Sequence, residues 1–322
     1  MKVVLRTFWV LLVLCVAAGI TFYTNPLWVN DELLRLKLWR AGVNGHSIQV
    51  DGYRLHYLEA APADGSAGVP LLLLHGLGSR GEDWARLIPL LAAQGFHVYA
   101  PDLLGYGRSQ KPDVDYSIAL EEKTVVAFMD AVHLSHADVG GWSMGGWVAM
   151  KLAAEHPERV DRLVLYDSAG VYFAGAEDVA ELFVPHNLAG LSRLMAMLSP
   201  RPAKLPVFAQ RAALRRIQGN SWVVLRAVAS MQAAGDLMEF RLSEIHQPTL
   251  MVWGGADALI PLSAGEKMHA GIPGSVLDVV QGCGHLAPAE CTAPVLQATL
   301  GFLKAEPPPR GGETLYPEPA QP

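Results

Sequence analysis

Charge is scarce in this sequence. Only 17% of the 322 residues are Asp, Glu, Lys or Arg, against 51% hydrophobic, and that balance excludes an intrinsically disordered chain. A basic face is missing as well. The net charge is -6 and no long run of Lys and Arg occurs, so nucleic acid is excluded as a partner. Cysteine is nearly absent. Cys15 lies in an apolar run, which leaves Cys283 and Cys291 as the one possible pair. Two buried thiols are the expected state and a bridge formed in an oxidising compartment is the alternative. No spacing of His and Cys fits a zinc site, so neither a metal nor a cofactor is expected. Internal repeats are missing too, and 322 residues suit one large domain with embellishments.

What the chain does have begins at its N-terminus. Lys2 and Arg6 precede an uncharged stretch from 7 to 29 rich in Leu, Val, Trp and Phe. Roughly 20 such residues can span a bilayer, so residues 1–29 are expected to form a single N-terminal membrane anchor. The alternative is export with signal-peptide cleavage near Val16-Ala17-Ala18. Lys2 and Arg6 before the stretch and Arg35, Lys37 and Arg40 after it are too balanced to set an orientation. Residues 30–46 are expected to hold a juxtamembrane helix, and from Ser47 the period changes to that of a hairpin turning at Asp51-Gly52.

Beyond the hairpin, apolar strands alternate with helices, which calls for a parallel sheet covered on both faces. Strands are predicted at 70–74, 97–101, 137–142, 162–166, 249–253 and 275–280, and helices near 83–93, 119–132, 144–155, 263–270 and 289–304. The alternation stops between 171 and 242, where short helices rich in Leu, Ala, Met and Phe read as a cap over the carboxyl ends of the strands, splitting a core of 47–170 and 243–304. The tail from 305 to 322 is dense in Pro, Gly and Glu and is expected to be disordered.

Four short motifs carry the chemistry. Gly141-Trp142-Ser143-Met144-Gly145 stands between a predicted strand and a predicted helix, the setting of a serine nucleophile on a turn too sharp for flanking side chains. Leu74-His75-Gly76-Leu77-Gly78 follows an apolar strand. Its Leu77 N–H, with the N–H of Met144, can form an oxyanion hole, and His75 reads as a loop-shaping residue rather than a base. Trp253-Gly254-Gly255-Ala256-Asp257 puts a carboxylate at a strand end, and Gly282-Cys283-Gly284-His285 does the same for an imidazole. The chain order Ser143, Asp257, His285 suits a nucleophile, an orienting acid and a base. Asp167, in Leu165-Tyr166-Asp167-Ser168, is the runner-up for the acid.

With these motifs, Pro101-Asp102-Leu103-Leu104-Gly105-Tyr106-Gly107-Arg108-Ser109, and Glu290 and Pro294 after His285, the chain resembles the α/β-hydrolase superfamily over 47–304. The resemblance implies an α/β fold: a mostly parallel central sheet, helices on both faces and a helical cap insertion. The anchor, the helix ending in Trp39-Arg40 and the motifs together are similar to membrane-anchored monoacylglycerol lipases and small bacterial lipases and esterases. Ser143 stands where epoxide hydrolases and haloalkane dehalogenases use Asp. The activity implied is cleavage of a carboxylic ester, small or lipid-like, through an acyl-enzyme on Ser143, with the membrane as the site of action and no obligate protein partner. Apolar cap residues Phe183, Leu188, Leu191, Leu194, Met195 and Met197 favour a lipid-like ester. Two rival expectations stand. One is a carbon-carbon hydrolase acting on a vinylogous diketone, which would aim a cap arginine (Arg211, Arg215 or Arg216) at a carboxylate. The other is a hydrolase-fold binding protein without catalysis.

Overall fold

The computed structural model describes residues 2–233 and 235–319. Two helices lead the chain, α1 (Lys2–Thr24) and α2 (Pro26–Arg40). The apolar stretch is therefore not one helix through residue 29. Proline supplies no N–H and disfavours helical backbone in the residue before it, and Asn25, ahead of Pro26, sits at φ -133°, ψ 55°. Among the described residues no single helix is long and apolar enough to cross a membrane. The segments Trp9–Thr24 and Pro26–Arg40 meet that test only together, bent by 107°.

The hairpin forms as expected, with β1 (Asn44–Val50) antiparallel to β2 (Tyr53–Ala60) and Asp51 and Gly52 both at positive φ. Then come β3 (Val69–Leu74), a 3-10 turn at Gly81–Trp84, α3 (Ile88–Ala92), β4 (Phe96–Pro101), α4 (Ile118–Ala131), β5 (Ala137–Trp142), α5 (Met144–Glu155) and β6 (Val160–Tyr166). Four helices follow β6: α6 (Val179–Phe183), α7 (Leu188–Leu198), α8 (Val207–Gly219) and α9 (Ser221–Gln232). The series resumes with β7 (Thr249–Gly254), α10 (Leu262–Gly271), β8 (Val276–Val280), α11 (Ala287–Glu290), α12 (Thr292–Leu303) and β9 (Glu313–Tyr316). The helix read near 83–93 is thus a 3-10 turn and a short α3, and that near 289–304 is broken at Cys291.

The nine strands form one sheet in the order β1-β2-β4-β3-β5-β6-β7-β8-β9, antiparallel at β1/β2 and β2/β4 and parallel from β4 to β9. Period-2 alternation sorts the central strands between two cores. Leu72 and Leu74 of β3 with Leu163 and Leu165 of β6 face one core, and Leu71, Leu73, Val164 and Tyr166 face the other. Each such buried side chain contributes about 1.5–3 kcal/mol relative to exposure, which is why unbroken apolar runs settle at the centre of the sheet.

Two expectations are corrected here. The tail is ordered where it was expected to be disordered: β9 pairs with β8 from Leu277↔Glu313 to Val280↔Tyr316, and Tyr316 packs on the core. An open strand edge offers a row of backbone donors and acceptors, and four residues suffice to use it whatever the composition around them. Residues 320–322 of that tail lie outside the described residues. Cys283 and Cys291 are joined in a disulfide rather than standing as two thiols, because the turn into α11 brings their Cα atoms to 6.3 Å.

Candidate active site

Every candidate residue stands at the carboxyl end of a central strand. Ser143 directly follows β5 and caps α5 at φ 56°, ψ -121°, a strained backbone for a residue with a side chain. Its geometry is over-determined by its neighbours. A Cβ at Gly141 would lie 2.4 Å from the Gly145 carbonyl, and one at Gly145 would lie 2.3 Å from the Leu74 carbonyl, so glycine is required at both places. The Ser143 N–H donates to the Tyr166 carbonyl at 3.0 Å, and its carbonyl accepts from Gly146 and Ala169. Met144 is the first helical residue, so its N–H has no intrahelical acceptor and points out at the positive end of the α5 dipole.

His75 has the structural part assigned to it. Its Nδ1 donates to the Gly76 carbonyl at 2.8 Å and its Nε2 accepts the Leu103 N–H at 2.9 Å, which fixes one neutral tautomer. Burial, opposed by nearby Asp102, lowers its basicity further. It thereby ties the Gly76-Leu77-Gly78 loop to the segment after β4.

Asp257 and His285 meet across 28 residues of sequence. His285 Nδ1 lies 2.8 Å from Asp257 Oδ2, and Asp257 Oδ1 accepts the N–H groups of Leu259 at 2.8 Å and Ile260 at 2.9 Å. Their loops are fastened to each other. Ala256 donates to the Cys283 carbonyl at 2.8 Å, and a Cβ at Gly254 would lie 2.4 Å from the Gly284 carbonyl. The Trp142 indole N–H also donates to the His285 carbonyl at 2.8 Å, linking the His285 loop to the residue before Ser143. No hydrogen bond joins the Ser143 hydroxyl to the imidazole, though both line one cavity; such bonds often tighten only once substrate is bound. Asp167, the runner-up, makes no bond to His285 and instead accepts the Gly254 N–H at 2.6 Å.

Two cavities converge on Ser143, Leu77 and Phe183. One, of about 430 Å³, is walled by Met144, Trp147, Val171, Phe173, Val179, Val228, Met231 and Leu237 and is almost wholly apolar. The other, of about 650 Å³, holds His285 and a polar rim of Asp31, Arg35, Arg80, Arg108, Lys111 and Arg216. Of the apolar residues singled out in the insertion, Phe183, Leu194 and Met195 line a cavity; Leu188, Leu191 and Met197 line neither. The α6–α9 segment therefore roofs the strand ends. Arg216 reaches the polar cavity, whereas Arg211 and Arg215 line neither.

The family model for the alpha/beta hydrolase fold matches residues 69–290. The chain belongs to the alpha/beta hydrolase family. The hydrolase is 32% identical over 312 residues to Lipase 1 of Psychrobacter immobilis, covering 89% of this chain and 94% of that one. It is 33% identical over 262 residues to a 2-hydroxymuconate semialdehyde hydrolase of Pseudomonas sp. strain CF600, covering 74% and 88%. Among solved structures, that of a membrane phospholipase A described as a bacterial virulence factor superposes with a TM-score of 0.80 at 28% identity, covering 94% of this chain and 98% of that one.

Sequence reasoning assigned no part to Asp102 or to Asp31. Asp102 accepts the N–H groups of Gly81 at 2.7 Å and Arg108 at 2.8 Å and pairs with His56 at 2.9 Å, folding the loops that bound the polar cavity. Its signal was the Pro101-Asp102 step before Gly105 and Gly107, where a Cβ on Gly107 would lie 2.2 Å from the carboxylate. Asp31, on α2, is gripped by Arg80 and Arg216, each at 2.8 Å. No sequence signal announced it.

Proposed function

We propose that this hydrolase is a serine esterase acting on lipid-like carboxylic esters through an acyl-enzyme. The observation that carries the reading is an apolar cavity of about 430 Å³ with Ser143 at its wall, fitted to an acyl chain, beside a polar cavity that holds His285 and suits a hydrated alcohol portion. In this reading His285 takes the Ser143 proton as the hydroxyl oxygen attacks the ester carbonyl. Asp257 fixes the imidazole tautomer through Nδ1 and stabilises the imidazolium. The N–H groups of Leu77 and Met144 hold the oxyanion, each worth about 10²–10³-fold in rate. The alcohol leaves with the proton from His285, and water then releases the acid by the same steps in reverse.

The same face favours an enzyme working at a membrane. Apolar side chains of α1 such as Trp9, Leu11, Val13, Ile20 and Phe22 are exposed, while Phe22 and Tyr23 rest against Phe208 of α8, at the roof of the site. An anchor so joined would bring the cavity mouth to its lipid. A disulfide beside His285 favours an oxidising compartment, hence a site outside the cytoplasm. The carbon-carbon hydrolase reading needs a free cap arginine, and Arg216 is committed to Asp31.

Labelling of the purified protein with a fluorophosphonate, followed by assays on monoacylglycerols and a p-nitrophenyl ester series, tests the function. Labelling at Ser143 with long-chain ester turnover is the expected result. Labelling without any ester turnover would favour carbon-carbon cleavage, and failure to label would sink the serine mechanism.

A further inference from the structure

Trp142 ends β5 immediately before Ser143, and its buried indole lines the polar cavity against His285. The indole N–H donates to the His285 backbone carbonyl at 2.8 Å across 143 residues of sequence, and the two rings meet with centroids 5.9 Å apart at 39°. That carbonyl has no local donor. The N–H three residues on would belong to Pro288, which has none, and the N–H four residues on, that of Ala289, goes to the Leu286 carbonyl. In a residue as buried as His285 an unpaired carbonyl is costly, so the turn into α11 is completed by a side chain from a central strand. The donor is itself held in place: Trp84 packs edge-on against the Trp142 ring at 6.2 Å, and Tyr166, the neighbour of Trp142 on β6, packs against Trp84 at 5.3 Å.

We propose that Trp142 is a positioning residue for His285, placing the imidazole relative to Ser143 through the backbone of the histidine rather than through its ring. The inference rests on the reading of His285 as the base. Asp257 holds the imidazole at Nδ1, and a ring held at one atom can still pivot about that bond. A second fixed point at the carbonyl removes the pivot. Because the donor directly precedes the nucleophile in the chain, one residue sets the position of both, so that Nε2 comes within reach of the Ser143 hydroxyl when substrate is bound. Removing the indole N–H while keeping a ring leaves Asp257 and the packing on Trp84 in place and lets His285 drift.

The test is a double-mutant cycle in the full chain with Trp142→Phe, His285→Ala and both together. It reads p-nitrophenyl octanoate turnover and, over hours where turnover is slow, the rate of fluorophosphonate labelling, with circular dichroism to check folding. Phenylalanine keeps a ring against Trp84 but offers no N–H. Trp142→Phe should lower kcat by about tenfold, the scale of one lost hydrogen bond, with KM within about twofold of the wild type. In the His285→Ala background the same change should cost less than about twofold, since the group it places is gone. If Trp142→Phe does not fold, replacing Trp142 with benzothienylalanine, in which sulfur takes the place of the indole N–H at nearly unchanged shape, gives the same reading. An equal loss in both backgrounds overturns the proposal, as does a wild-type kcat in Trp142→Phe or a loss confined to KM, which would make the indole a substrate contact. Full turnover by His285→Ala overturns the assignment of the base instead, a distinct failure.

Discussion

Asp31 of α2 and Arg216 of α8 are joined at 2.8 Å across 185 residues of sequence, and Arg80, from the loop that carries Leu77, grips the same carboxylate at 2.8 Å. One buried acid thus ties α2, the roof over the cavities and the Leu77 loop together. Burial works against its charge, but the hydrogen bonds from Arg80 and Arg216 outweigh this and hold its carboxyl below the ordinary range.

Asp31→Ala leaves two guanidinium groups without their partner at the rim of the polar cavity. Removing one member of a partly buried pair is expected to lower stability by about 1–3 kcal/mol, with faster proteolysis around α8. Unchanged denaturant midpoint and proteolysis would show that the cluster holds nothing together.

Ser143→Ala should abolish fluorophosphonate labelling and reduce ester turnover by at least about 10⁴-fold, and His285→Ala should do the same to turnover. In the proposed reading substrate is held by the cavities rather than by Ser143 and His285, so the KM of residual activity should stay within a few-fold. Steady-state kinetics on one ester checks both parts.

Glu121, fully enclosed on α4 with one oxygen accepting the Leu104 N–H, is pushed up to about 8 by burial, and Asp138 on β5 is pushed up to about 7 for the same reason. Both folded values lie above the unfolded ones, so the stability they contribute is complete below about pH 4 and is lost as pH rises towards 7 and 8. Stability measured by urea denaturation should fall between pH 5 and 8. Glu121→Gln, which keeps an acceptor for Leu104, should make that slope shallower by about 1 kcal/mol per pH unit. An unaltered slope would remove Glu121 from the account.

Cys283 and Cys291 bracket His285 and close a loop eight residues apart in sequence. Replacing both with Ala is expected to cost about 2–3 kcal/mol of stability and to lower turnover by loosening the loop that carries His285. Thermal unfolding with and without reductant measures the first effect. Insensitivity to reductant together with full alkylation of the native protein would contradict the bridge.

Gly145→Ala puts a methyl group 2.3 Å from the Leu74 carbonyl, a backbone atom of a central strand that cannot yield. Destabilisation by more than about 3 kcal/mol, or failure to accumulate as folded protein, is expected. A folded and active variant would mean that the turn has more room than its geometry allows.

Much of the architecture was legible because local chemistry dictated it. The apolar runs of β3 and β6 can be satisfied only between two covered faces, Asp51-Gly52 can only turn, and glycines at 141 and 145 allow the one sharp strand-to-helix turn that lifts a serine above a sheet. The order Ser143, Asp257, His285 and the loop-shaping part of His75 came from the same kind of constraint. Pairing across distance was not legible, because it depends on which surfaces the completed sheet leaves side by side. Strand β9 formed from a Pro- and Gly-rich tail because β8 still had an open edge. Pro26 marked a boundary that the hydrophobic run concealed, and Cys283 met Cys291 only through the turn into α11. The preference for Asp257 over Asp167 was legible in the sequence, but the contact itself belonged to the tertiary structure: the loop after β7 is fastened to the loop that carries His285 and puts Asp257 2.8 Å from its Nδ1, whereas Asp167, after β6, accepts the Gly254 N–H instead.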